Sequence, residues 1–153
     1  MPISWIALLL AAGVTAHALL AQDSRQVLMD GRDRPLADNM LLWHQAAVAW
    51  RSNNSGFAGS VPSGALQLPS WYAPMTRWRS LASSSGDVAT YATLEDGLVP
   101  GRLAAALATR TLNAVNAGIA RGDVVISPGR NSGARVPAGA PDGAVMIVTS
   151  TLP

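Results

Sequence analysis

Ala144–Thr149, with the sequence AVMIVT, is the stretch that decides the fold. All six residues are apolar or β-branched, and Gly143 precedes them, so the run predicts a buried β-strand. Val88–Thr93 (VATYAT) and Val124–Ile126 (VVI) have the same character. Apolar residues alternate with small or polar ones over Ala114–Ala120, which also predicts extended chain. The sequence therefore predicts a three- or four-stranded, mainly antiparallel sheet.

Two helices are expected on one face of this sheet. Pro100 is suited to the first position of a helix, which we expect to end near Arg110. An earlier helix is predicted to begin with Asp38 as its N-cap and to end near Asn53. Its apolar side chains recur at the spacing of one helical face, at Leu36, Met40, Trp43, Ala47 and Trp50. The fold class is thus α+β.

Two segments rich in glycine and proline, Gly56–Pro74 and Pro128–Asp142, are predicted to be loops. The first also carries Trp71 and Tyr72, and apolar side chains at such density usually pack against a core. Arg121-Gly122-Asp123 predicts a tight turn between two strands.

The N-terminal segment Ile3–Ala21 contains 19 residues and no charged side chain. A helix of that length would extend about 28 Å, just enough to cross the hydrocarbon core of a membrane. Its apolar character favours an N-terminal hydrophobic helix acting as a membrane anchor. A signal peptide cleaved after Ala16-His17-Ala18 and a buried core helix are the alternatives. The expected membrane contacts are Trp5, Leu8, Leu9, Leu10, Leu19 and Leu20.

These patterns divide the chain into three parts: an anchor or signal segment at residues 1–21, a linker at 22–37, and an α+β domain at 38–153. The charged residues after the apolar segment bear on the orientation across a membrane, and they argue against placing the domain outside the cytoplasm. Arg25, Arg32 and Arg34 follow the apolar segment, and such residues favour the cytoplasmic side.

Residues able to carry out chemistry are few. The chain has no cysteine, which excludes disulfides and thiolate chemistry. Its two histidines are His17, in the apolar segment, and His44, which we expect to be an outer or half-buried structural residue. Glu95 is the single glutamate, and no nucleophile elbow or phosphate loop is present. We therefore expect no enzyme activity, no metal and no cofactor.

With enzyme, metal and cofactor functions disfavoured, we expect the protein to act by binding other proteins. All 11 basic residues are arginines scattered along the chain, which is not typical of a nucleic-acid-binding face. Trp71, Tyr72 and Arg77 belong to the residue types that most often dominate protein interfaces. We expect them to contact a partner, either another envelope protein or a second copy of the chain.

The whole chain resembles the PilM family of type IVB, or thin-pilus, biogenesis proteins. The resemblance rests on the apolar N-terminus and on the segments WHQAAVAWRSNNSGFAGSV (43–61), LQLPSWY (66–72), VATYAT (88–93), NAGIARGDVVISP (116–128) and VPAGAPDGAVMIVT (136–149). It implies an inner-membrane protein with a periplasmic C-terminal domain, acting through other pilus-assembly or secretion envelope proteins. It implies no catalytic residue.

Two alternatives come from other classes of protein. A minor pilin or pseudopilin would also combine an apolar N-terminal helix with a sheet. Prepilin processing, however, requires a glycine followed closely by a glutamate, whereas Gly13 is followed by no glutamate before Glu95. A small envelope hydrolase is disfavoured because the chain offers so few catalytic residue types.

Overall fold

A seven-stranded antiparallel sheet forms the centre of the computed structural model. The structure describes residues 31–111, 116–128 and 130–150, with the backbone alone for 130–133. The strands are β1 (Gly59–Ser60), β2 (Arg79–Ala82), β3 (Asp87–Ala92), β4 (Asn116–Arg121), β5 (Val124–Ser127), β6 (Arg130–Arg135) and β7 (Val145–Ser150). Their order across the sheet is β1-β2-β3-β7-β4-β5-β6.

Strand β7 is the AVMIVT stretch, and the prediction of a buried strand there is confirmed. It pairs with β3 through Tyr91↔Met146 and with β4 through Ala117↔Ile147. Val145, Met146, Ile147 and Val148 are all buried. Because both faces of this strand are covered, its sequence is a continuous apolar run rather than an alternating one.

The sheet is larger than the three or four strands expected. Strands β1 and β6 lie inside Gly56–Pro74 and Pro128–Asp142, both of which were wrongly predicted to be loops throughout. Strand β1 has two residues, and β6 reads RNSGAR, so neither carries an apolar pattern. Both are edge strands of the sheet, where polar residues and short length are usual.

Two helices are described, as expected. The first, α1, occupies residues 31–53, and the second, α2, is Pro100–Arg110 with proline at its start. Asp38 was wrongly predicted to be the N-cap of α1, since residues 31–37 are already helical. Leu36 and Ala37 are buried in the core, and their packing outweighs the low helix propensity of Gly31 and Pro35.

The core has a layer on each side of the sheet. On one side, both helices pack on the sheet through residues such as Met40, Leu103 and Ile147. On the other, Tyr91 and Met146 lie in a second buried cluster, packed by residues of the segment that follows β6. This segment takes the place that a third layer of helices would occupy.

The predicted apolar stripe of α1 is correct for four of its five members. Leu36, Met40, Trp43 and Ala47 are buried. Trp50 is only half-buried, and its ring meets Phe57 edge-on at a centroid distance of 4.9 Å. It therefore lies at the periphery, near the end of α1, because the helix extends past the last turn that the core covers.

The predicted membrane contacts Trp5, Leu8, Leu9, Leu10, Leu19 and Leu20 lie outside the described residues. Among the helices that are described, none combines the length and the apolar character needed to cross a membrane.

Candidate functional site

The side chain of Asn39, on α1, fixes a loop on the surface of the domain. Its amide nitrogen donates to the carbonyl oxygen of Ala73 at 2.8 Å. Its oxygen accepts from Met75 N at 3.0 Å, from Tyr72 OH at 3.0 Å and from Trp78 Nε1 at 2.7 Å. Residues 71–77, the Asn39 loop, are thus held against α1 by one amide group.

The three predicted contact residues are all in the Asn39 loop, but their environments differ. Trp71 is 72% exposed, and Arg77 is exposed as well. Tyr72 is half-buried, with its ring centroid 6.2 Å from that of Trp43. Burial raises the pKa of Tyr72 to about 12, so the phenol stays protonated and donates to Asn39. Tyr72 supports the loop, while Trp71 and Arg77 are free to meet a partner.

A second loop, residues 93–99, is joined to the Asn39 loop. Thr76 Oγ1 donates to the carbonyl oxygen of Asp96 at 3.2 Å, and Arg79 Nη1 lies 3.0 Å from Asp96 Oδ2. Burial alone would raise the pKa of Asp96, but hydrogen bonds from Thr93 and the charge of Arg79 outweigh it and lower the pKa. The charged carboxylate therefore binds the 93–99 loop to Arg79 at the start of β2, and the main-chain carbonyl oxygen of the same residue binds the Asn39 loop.

Beside the Asn39 loop is an open groove of about 460 Å³, here named the β1–β2 groove. Residues 60–63 line one part of it, and Pro74 and residues 76–80 line another. Trp43, Trp78 and Ser80 also line it, and they are otherwise buried. No carboxylate lines the groove, whereas Arg77 and Arg79 do. Because Arg79 is paired with Asp96, Arg77 supplies the unneutralised positive charge.

His44 lies at the centre of a chain of buried hydrogen bonds between α1 and the sheet. Its Nδ1 is 3.0 Å from Thr90 Oγ1, and its Nε2 is 2.9 Å from Thr149 Oγ1. Thr90 Oγ1 is in turn 2.9 Å from Ser80 Oγ, which accepts from Trp43 Nε1 at 3.1 Å. The side chains that meet His44 are uncharged hydroxyls.

Burial lowers the pKa of His44 to about 4, so the imidazole is neutral at physiological pH. Both ring nitrogens are occupied, and Thr90 is fully buried, so no substrate could reach the pair. The arrangement is that of a structural histidine, but His44 is buried and not outer or half-buried as the sequence indicated. Within the described ranges, no three histidine or acidic side chains are grouped closely enough to hold a metal ion.

The sequence alone did not identify Asn39, Met75, Leu94 or Val99 as surface determinants. Met75 is 52%, Leu94 66% and Val99 59% exposed. The sequence analysis assigned none of these three residues a role, because exposed and buried apolar residues look the same in a sequence. The role of Asn39 cannot be predicted from the sequence either, because this residue lies on α1 and its hydrogen-bond partners are more than thirty positions away.

Taken together, these features define a small α+β domain with a surface groove beside hydrogen-bonded, exposed loops. The chain belongs to the PilM family, whose model matches residues 7–148, and it is a pilus-associated protein. The family resemblance seen in the sequence is confirmed.

Two solved structures are similar to this chain. A crystal structure of a protein described as PilM from Escherichia coli B7A has a TM-score of 0.51 and 15% identity, covering 78% of this chain and 92% of its own. This likeness concerns the fold alone. A protein described as pilM from Pseudomonas aeruginosa 2192 has 26% identity and a TM-score of 0.42, covering 75% and 93%. Among the curated proteins, no sequence matches this chain.

Proposed function

We propose that this chain is a non-enzymatic component of a type IVB, or thin-pilus, biogenesis apparatus that works through contacts with other envelope proteins. It is held in the inner membrane by residues 3–21, and the domain that follows lies in the periplasm. Membership of the PilM family supports the association with pili. The apolar, uncharged character of residues 3–21 supports the anchor.

The main support for a role in protein contacts is Arg77. This arginine lines the groove without an ion pair to any described residue, and hydrogen bonds hold the loops that form the groove. Asn39 orders the Asn39 loop on one side, and Asp96 holds the base of that loop to β2. Binding to a groove that is already ordered costs less conformational entropy than binding to a groove whose loops must first become ordered. Arginine also binds carboxylates through charge-assisted, two-point hydrogen bonds. The groove therefore fits an extended protein segment bearing an acidic side chain.

The proposal that the chain is not an enzyme is supported by the hydrogen bonds of its titratable side chains. His44 is enclosed by hydroxyl groups, and Asp96 is engaged by Arg79 and Thr93. Each is committed to holding the fold together. A general acid or base must instead reach the proton that it transfers.

The test compares Arg77→Ala with Arg121→Ala, a matched control that also removes an exposed arginine but lies at the end of β4. Each full-length variant replaces the wild type in cells that assemble the pilus. Pilus assembly and co-purification of other pilus-assembly proteins are then measured after crosslinking. Arg77→Ala should reduce both at least tenfold, and Arg121→Ala should leave both near wild type.

Neither substitution should change the thermal midpoint, because neither residue is buried. If Arg77→Ala retains wild-type assembly and partner capture, the groove is not the contact site. If both variants fail equally, general surface charge and not the groove is responsible.

A further inference from the structure

Large apolar side chains are exposed at only one end of the described domain. That end is where β2 and β5 begin and where β3 and β4 finish, as the antiparallel registers Arg79↔Tyr91 and Arg121↔Val124 show. The opposite end includes the β2–β3 hairpin at Ser83–Gly86. The exposed residues, together named the apolar end, are Trp71, Met75, Leu94, Val99 and Val124.

Four of these side chains are exposed on two hydrogen-bonded loops. Trp71 and Met75 lie in the Asn39 loop, Leu94 and Val99 lie in the 93–99 loop, and the two loops are joined by the Thr76–Asp96 hydrogen bond. A large exposed apolar patch on an ordered surface indicates an interaction site. Tryptophan with aliphatic neighbours is also the composition favoured where a protein meets the interfacial region of a bilayer.

The described part of α1 begins at this same end. Asn39, near the start of the described helix, bonds to the Asn39 loop, whereas Arg51, near its finish, donates to the carbonyl oxygen of Ser83 in the opposite hairpin. Nine residues, 22–30, separate the apolar segment Ile3–Ala21 from residue 31. Nine residues span at most about 30 Å even when fully extended.

We infer that the apolar end rests on the bilayer surface, with Trp71, Met75, Leu94 and Val99 inserted at the boundary between lipid headgroups and acyl chains. The inference rests on the proposed membrane attachment through residues 3–21. The short tether also raises the effective concentration of the membrane surface, so a modest apolar contact suffices.

Charge complementarity contributes little to this contact. Exposed charges of both signs are found at the same end, such as Arg77 and Arg121 beside Glu95 and Asp123. Apolar insertion, and not attraction to anionic lipid, is therefore the main source of affinity. The contact should form on a zwitterionic bilayer and change little when anionic lipid is added.

The absence of cysteine makes a direct test simple. The full chain is reconstituted in phosphatidylcholine vesicles, with and without phosphatidylglycerol, and carries one spin label at Met75→Cys, Leu94→Cys or Val99→Cys. The matched control is Ser84→Cys, an exposed position in the opposite hairpin. Accessibility to oxygen, which dissolves in lipid, is compared with accessibility to a water-soluble nickel complex.

The labels at the apolar end should show an oxygen-to-nickel accessibility ratio several-fold above that of Ser84→Cys in both kinds of vesicle. Wild-type fluorescence gives a second readout that needs no cysteine. Brominated lipids should quench emission that is lost in Trp71→Phe. Circular dichroism verifies that each labelled chain is folded.

Three results would overturn the inference. Water-exposed labels in a chain that floats with the vesicles would show that the domain stands off the bilayer, while leaving the proposed attachment intact. Labels that become shielded only at high protein density, or only when pilus-assembly proteins are added, would identify a second copy or a protein partner as the occupant. A chain that does not float with vesicles would overturn the inference and the proposed attachment together.

Discussion

Acidification should destabilise this domain through His44, and the structure sets both the range and the size of the effect. The pKa of His44 is lowered from its ordinary value of 6.5 to about 4 because the ring is buried. In the unfolded chain the imidazole binds a proton below pH 6.5, whereas in the folded domain it does so only near pH 4. Protons therefore favour the unfolded state throughout this interval.

The magnitude follows from the size of the shift. A pKa difference of about 2.5 units corresponds to roughly 3 kcal/mol of unfolding free energy. The stability contribution is complete above pH 6.5 and is lost progressively as the pH falls to about 4. The carboxylates act in a lower range, since the pKa values of Asp87 and Asp96 lie below the ordinary 3.8. A hydroxyl hydrogen bond from Ser85 is the main cause for Asp87.

Urea unfolding at several pH values between 7.5 and 4 would measure this dependence, with His17→Gln as the matched control for His44→Gln. His44→Gln should be less stable at pH 7, because Thr90 and Thr149 lose an imidazole partner, but its stability should change little down to pH 4.5. His17→Gln should keep the wild-type decline. A wild-type stability that is flat between pH 6.5 and 4.5, or an equal decline in His44→Gln, would refute the reasoning.

Three further predictions concern packing, backbone approach and topology. Trp43→Ala should cost roughly 3–5 kcal/mol in urea unfolding, whereas the half-buried Trp50→Ala should cost only about 1–2 kcal/mol; equal costs would contradict the burial difference. Gly118→Ala should lower the thermal midpoint, since its Cβ would collide with a backbone carbonyl of β5, while Gly101→Ala in α2 should be neutral or raise it. Membrane fractionation should retain the full-length chain, and a phosphatase fused after Pro153 should be active in the periplasm; an inactive fusion together with an active cytoplasmic reporter would reverse the topology.

The sequence predicted the parts of the fold that are specified by local patterns. A continuous apolar run identified β7, and the position of Pro100 identified the start of α2. Strand β2 was missed because it reads RSLA, in which arginine and serine interrupt any strand pattern. Ser80 is nevertheless buried, because its hydroxyl is satisfied by Trp43 and Thr90. These side-chain hydrogen bonds to distant residues satisfy the polar group of β2 within the sheet, and the periodicity of the sequence cannot show them.

For the candidate site, the residue types indicated which loop is involved, but the sequence did not show which side chains of that loop are exposed. Trp71 and Tyr72 are adjacent aromatic residues in a proline-flanked loop, and both were predicted to face a partner. The structure leaves Trp71 exposed and turns Tyr72 toward α1, where it bonds to Asn39. The difference depends on a side chain 33 positions away, so neither composition nor spacing could have revealed it.

The same amide explains how a small domain keeps a large tryptophan exposed without losing order nearby. A loop that projects apolar side chains into water tends to collapse onto the core, because burial of those side chains is favourable. Asn39 opposes this by accepting from Met75 N and donating to Ala73 O, so the backbone on either side of Pro74 is fixed before the side chains are placed. Tyr72 and Trp78, which are half-buried and buried, donate to the same amide oxygen. The exposure of Trp71 and Met75 is therefore set by the hydrogen-bonded backbone beside them, which is the arrangement expected of a surface whose shape is formed before a partner binds.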